Sequence, residues 1–189
     1  VMRLCRAFAR AAADAGEAAY MRLLTPAIKY WVCKSAPAFL YEAMECLGGN
    51  GYVEDGILAR HYREGPVNAI WEGSGNVMCL DVLRALSREP DAAMAVLQQL
   101  MGESRGLPGA AEAAVFIGKA FRRPDSERVA RVAVEKLALL AAVAALNAIS
   151  PRSAELFADS RLAGNHGGMY GATELPTDDV RRLLERALP

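Results

Sequence analysis

The run from Leu137 to Ala148, LALLAAVAALNA, holds no charged residue and neither glycine nor proline. A segment this apolar has to be covered on nearly every side. It is built from alanine and leucine, which favour helix, rather than from the β-branched and aromatic residues that favour strands. It is also shorter than the roughly 20 residues a membrane crossing requires. It therefore reads as a buried helix of a bundle. The whole chain agrees, because 53% of it is hydrophobic and only 7% aromatic, so burial is plentiful and strand formers are scarce. No period-two alternation persists anywhere, and no fixed repeat is present. The expected fold is all-α, an antiparallel helical bundle with a helical C-terminal extension.

Apolar spacing and breakers divide the chain further. Val1, Leu4, Cys5 and Phe8 fall at i, i+3, i+4 and i+7, the stripe of an amphipathic helix, with Arg3, Arg6 and Arg10 on its solvated sides. Residues 18–47 form one long helix or two stacked ones, with a kink expected at Pro37 and a stop at Gly48-Gly49. Residues 50–66 read as connection, with one helical turn around Leu58 to Tyr62. A helix follows Gly75 to about Leu86, and Glu89-Pro90-Asp91 breaks it. Further helices are expected to about Leu100, over 110–121, over 125–149 with Asp125 as N-cap, over about 150–163, and after Thr177. Tyr30 and Trp31 are assigned to the core. The natural division is a bundle over 1–88 and an extension over 89–189.

Charge restricts the partners. Lys and Arg number 22 and Asp and Glu number 22, so the molecule exerts no global pull on nucleic acid or membrane. Cys5, Cys33, Cys46 and Cys79 lack CxxC spacing and read as buried thiols of a reducing, cytoplasmic compartment. His61 and His166 stand alone, so no metal site is expected. No signal peptide or membrane span is visible, and the chain enters a helical pattern at Val1 without an initiating Met, as a piece of a longer protein would.

The chemistry concentrates between Ala43 and Leu86. Gly48-Gly49-Asn50-Gly51 and Gly73-Ser74-Gly75-Asn76 each abut a helical pattern. Glycines let backbone N–H groups approach a ligand, and helix N-termini favour anionic groups. Glu72 stands at the second mark beside Trp71. An acid in such apolar surroundings, desolvated enough to raise its pKa, is a candidate general base.

Leu47-Gly48-Gly49-Asn50-Gly51-Tyr52, then Tyr62-Arg63-Glu64, then Ile70-Trp71-Glu72-Gly73-Ser74 resembles the C-terminal helical domain of the acyl-CoA dehydrogenases. The wording of Tyr62 to Asn68 and of Trp71 to Arg84 is similar to the alkylation-response branch of that family. The resemblance implies FAD as cofactor and Glu72 as the base that takes the α-proton of an acyl-CoA thioester. It implies cofactor contacts at Gly48, Gly49, Trp71, Gly73, Ser74 and Asn76. Ser74 and Asn76 stand where the family has Thr and Gln. Arg63 and Glu64 occupy the place of an Arg-Asp pair and read as a structural ion pair.

The resemblance further implies a homo-oligomer, dimer or tetramer, because the Gly-Gly loop serves the FAD of a neighbouring subunit. Duplex DNA is the partner implied by the branch. Arg122-Arg123 with Arg128 and Arg131, and Arg181-Arg182 with Arg186, form local basic clusters, and Arg84 and Arg161 are the named candidates for phosphate contact. Two other readings stay open. One is an ordinary dehydrogenase of a short or branched acyl-CoA, and the other is a helical oligomerisation fragment without activity of its own.

Overall fold

The computed structural model describes residues 1–187. Its organising element is α2, Ala15–Cys46, a 32-residue helix about 48 Å long. Asp14 opens it, its carboxylate accepting from the Gly16 and Glu17 N–H groups at 2.8 and 3.1 Å. Both Pro26 and Pro37 lie inside it, so the long segment is one helix and not two. Thr25 and Ser35 donate one turn back, to the carbonyls of Met21 and Trp31, near the places where the prolines remove a backbone donor.

The uncharged run forms α8, Ala130–Asn147, and Val134, Leu137, Leu140 and Val143 are wholly buried. Packed on α2 are α1 (Met2–Arg10), α5 (Gly75–Arg88), α6 (Pro90–Glu103) and α8 itself. Packed on the other sides of α8 are α7 (Ala110–Phe121) and α9 (Pro151–Phe157). Two short helices, α3 (Gly49–Tyr52) and α4 (Ile57–Glu64), and a 3-10 turn over Gly65–Ala69 return the chain along α2. One hydrophobic core runs from Leu4 to Leu162, so residues on both sides of position 88 share it. The described residues contain no strand, and the fold is all-α as expected.

Several local expectations are corrected. Leu4 and Ala7 form the buried face of α1, whereas Val1, Cys5 and Phe8 are exposed, because an alanine is small enough to bring α1 close to α2. Of the four cysteines only Cys79 is buried; Cys5 and Cys46 are exposed. Asp125 caps nothing: its carboxylate is engaged by Arg123 at 2.8 and 2.9 Å, and a 3-10 turn over Ser126–Val129 precedes α8. The connection over 50–66 is largely helical. Tyr30 is buried as expected, and Trp31 packs edge-on to Phe157 with centroids 6.4 Å apart.

The end of the chain departs from α geometry. After α9 the backbone passes through a π turn over Ala158–Leu162, where the Ala163 N–H donates to the Ala158 carbonyl at 2.8 Å. The chain then runs to α10, Thr177–Ala187. There Asp179 accepts from Arg152 of α9 at 2.5 and 3.1 Å and from Arg182 at 3.1 Å.

Candidate functional site

Glu72 lies on the tight turn between the 3-10 segment and α5. It has φ of 54°, and it is the only non-glycine residue with positive φ among the described residues. A β-carbon in this region crowds the carbonyl, at a cost of about 1–2 kcal/mol. The turn is held by Lys29 of α2, whose ammonium donates to the carbonyls of Trp71 at 2.6 Å and Gly73 at 2.9 Å. The carbonyls of the residues on either side of Glu72 are thus held by one cation. Sequence reasoning missed Lys29, and a lone lysine on a long helix carries no signal of such a role.

The glycines of this turn have separate reasons. Gly73 has φ of 110°, and a β-carbon there would meet the Met78 methyl at 2.4 Å. Gly75 is buried, and a β-carbon would fall 2.8 Å from Lys34 and 3.3 Å from the Tyr30 ring. No side chain caps α5 at Ser74, so the first N–H groups of this 14-residue helix have no side-chain acceptor. Ser74 and Asn76 are exposed beside them, and Trp71 is 58% exposed.

Glu72 itself is exposed. The burial expected of it is absent, because the turn stands at the surface and its neighbours Trp71 and Ser74 are exposed too. The carboxylate borders an open cleft of about 420 Å³ between α1, α2 and α5, lined also by Phe8, Met21, Arg22, Lys29 and Met78.

The two glycine-rich marks do not meet within the chain. Gly48-Gly49 follows the C-terminus of α2, and the Lys29 clamp lies roughly 25 Å back along that helix. Gly48 has φ of 56°, and β-carbons built at Gly48 and Gly49 would meet nothing within 4 Å. This backbone is open on its outer side. Gly51 is different: it is buried, and a β-carbon there would sit 2.2 Å from the Met44 carbonyl oxygen. Gly51 is therefore the packing glycine of the motif, and Gly48 and Gly49 are free to meet something else.

Arg63 pairs with Glu54 and not with Glu64, which faces Arg60 at 3.8 Å. Arg84 donates to Asp81 at 2.9 Å, and the same carboxylate takes two bonds from Arg22 at 2.9 and 3.0 Å. The Arg22 and Arg84 guanidinium groups hold the Asp81 carboxyl below the usual carboxylate range. Arg161 belongs to the π turn and lies over the Tyr170 ring at 5.6 Å. Three arginines of the basic clusters are engaged by carboxylates, Arg123 with Asp125, Arg181 with Asp178 and Arg182 with Asp179, while Arg122, Arg128 and Arg186 are exposed. No helix among the described residues is long and apolar enough to cross a membrane, and no group of potential metal ligands occurs among them.

Residues 1–87 match the family model for the acyl-CoA dehydrogenase C-terminal domain. AidB of Escherichia coli (strain K12) is 40% identical over 183 residues, 96% of this chain and 33% of AidB. Acyl-CoA dehydrogenase family member 11 of Caenorhabditis elegans is 40% identical over 92 residues, 47% of this chain and 15% of that protein. The chain thus spans at most a third of these relatives. Among solved structures, Caenorhabditis elegans ACDH-11 in complex with C11-CoA superposes with a TM-score of 0.71 at 24% identity, over 98% of this chain and 36% of that one. The apo-form of Bd2924 superposes with a TM-score of 0.62 at 30% identity, over 77% of this chain and 30% of that one.

Proposed function

We propose, from the chain's membership of the acyl-CoA dehydrogenase family through its C-terminal helical domain, that it is the helical part of an FAD-containing flavoprotein of the AidB type. The observation that carries this reading is the Glu72 turn. A carboxylate carried on a strained turn whose backbone Lys29 clamps, at the edge of an open cleft, is what a positioned base requires, and no hydrogen bond or ion pair of the fold uses that side chain among the described residues.

The residues present fit a flavin. Gly48 and Gly49 offer unobstructed backbone to a phosphate, while Ser74, Asn76 and the uncapped start of α5 offer donors to an anionic or carbonyl group. FAD, when bound, supplies the hydride acceptor. Glu72 then takes the α-proton of an acyl-CoA thioester onto its carboxylate, Lys29 keeps its backbone in place, and Trp71 borders the acyl group. The separation of the two glycine marks supports Gly48-Gly49 serving the cofactor of a neighbouring subunit. Exposed Leu47, Tyr52 and Ile57 beside that loop supply an apolar surface for a dimer or tetramer.

The test is Glu72→Gln in the full-length protein. Flavin should remain bound while its bleaching by acyl-CoA is lost, because the amide keeps the shape without the basic oxygens. Unchanged bleaching would remove Glu72 from the chemistry.

Duplex DNA in the response to alkylation damage is the second reading, supported by the similarity to AidB and by one feature of the charges. Arg123, Arg181 and Arg182 of the basic clusters are paired with carboxylates, whereas Arg122, Arg128, Arg186 and Arg161 are exposed and have no carboxylate partner among the described residues. Arg161 would meet phosphate without a competing carboxylate, whereas Arg84 would have to share itself with Asp81. Fluorescence anisotropy of a labelled duplex over a salt series should show affinity that falls with salt and ignores sequence, and Arg161→Ala should flatten the salt slope by roughly one. No binding at low salt would reject this reading.

A further inference from the structure

An open cleft of about 610 Å³ lies between α9, the π turn and α10, away from the Glu72 turn. Its floor is apolar, from Leu146, Leu156, Phe157 and Leu183. Arg161 and Arg186 stand at it and are exposed, and neither has a carboxylate partner among the described residues. The volume lies within the ~300–1,000 Å³ of small-molecule sites.

Two independent features single the cleft out. The π turn that ends α9 supplies both Ser160 and Arg161 to its wall. The Arg161 guanidinium is also steadied over Tyr170 at 5.6 Å, which lowers the entropy it loses on meeting an anion. Phe157, on the floor, is braced from behind by Trp31. Apolar walls with two unneutralised guanidinium groups beside them match a ligand with an anionic head and a single apolar tail.

We propose that this cleft binds a free monoanionic amphiphile of the fatty-acid kind, its carboxylate between Arg161 and Arg186 and its chain along Phe157 and Leu183. The site is independent of the flavin reading, since none of its residues belongs to the Glu72 turn. It shares Arg161 with the duplex reading but does not rest on it.

The experiment is isothermal titration of octanoate, with 1-octanol as the neutral control, into the full-length protein. Saturable octanoate binding is expected, with Arg161→Ala and Arg186→Ala each weakening it about tenfold and octanol binding weaker to a similar degree. Leu183→Trp, checked for folding by circular dichroism, should abolish it by filling the floor, while Glu72→Gln should leave it unchanged. Absence of saturable binding, or binding indifferent to both arginine variants, would overturn the proposal. Flotation with phosphatidylglycerol vesicles separates a membrane headgroup from a free ligand. No retention is expected, and arginine-dependent retention without an octanoate site would overturn the free-ligand assignment.

Discussion

The Lys29 ammonium lies 2.9 Å from the carbonyl oxygen of Gly73, across 44 residues of sequence. Together with its bond to the Trp71 carbonyl, this makes a helix side chain the fastener of a surface turn that backbone preference alone would not select.

Loosening that fastener should uncouple the turn from the bundle. Lys29→Met keeps the alkyl stem and removes both donors, at an expected cost of about 1 kcal/mol for a partly exposed charged bond. Urea unfolding measures that cost, and limited proteolysis should find a new cut near Trp71 to Gly73 in the variant.

Glu72 itself should prove unfavourable to stability. Glycine normally costs about 0.5–1 kcal/mol in a folded chain, but at a φ of 54° the relief of crowding offsets this. Glu72→Gly is therefore expected to unfold at no lower urea concentration than the parent, whereas Glu72→Val should lose about 2 kcal/mol, since a β-branched residue fits this region worst. A Glu72→Gly variant that unfolds much earlier would show the carboxylate to be structural.

Two glycines of one motif should respond oppositely. Gly51→Ala places a methyl 2.2 Å from the Met44 carbonyl oxygen, so the backbone has to part, with a loss of about 2 kcal/mol or more. Gly49→Ala meets nothing within 4 Å and should change stability by under about 0.5 kcal/mol. In the full-length protein the same Gly49→Ala should impair flavin retention or subunit assembly, read by flavin absorbance and light scattering.

Acid should find Asp81. Its carboxyl is held below the ordinary range by the hydrogen bonds and charge of Arg22, then by Arg84. A depressed folded pKa gives stability that is complete above the unfolded value, about 4, and is lost as pH falls through the folded value. Asp81→Asn should therefore flatten the stability profile below about pH 4 and cost about 1 kcal/mol at neutral pH. Arg22→Ala should do more harm than Arg84→Ala, because Arg22 makes two of the three bonds.

Helix α10 should be the first to open. Asp179, lowered by Arg152 and then by Arg182, is the anchor of that helix on α9. Asp179→Asn should raise amide hydrogen exchange over 177–187 while α8 stays protected. In the parent the same exchange should rise as pH falls through the carboxylate's depressed range.

How far the sequence spoke depended on the range of each interaction. The helix Ala110–Phe121 was readable to both ends, because Gly109 turns left-handed before it and Pro124 stands shortly beyond its last turn. The charge-free run of α8 announced its own burial. The features that escaped were settled by partners that local pattern does not reveal, some distant and some near. Lys29 finds its carbonyls 42 and 44 residues away, and Gly51 is essential only because Met44 returns against it. Asp125 had the composition of a helix cap, yet Arg123, two residues back, claims its carboxylate. The turn at Glu72 was legible as a motif, but its exposure was not, since burial depends on the groups that face a residue and not on those that adjoin it.

The π turn at Ala158–Leu162 has an evolutionary corollary. A wider turn of this kind arises when one residue is inserted into an α-helix, and each residue advances the helix by about 100°. Deleting Asp159 should restore the regular helix and turn the start of the following connection to another side of α9. The direction in which the chain leaves α9 is therefore set by a single residue, while Arg152 and Asp179 hold α10 on α9. Relatives with a one-residue gap at this point should send the chain out of α9 in another direction, even where the rest of the bundle is unchanged.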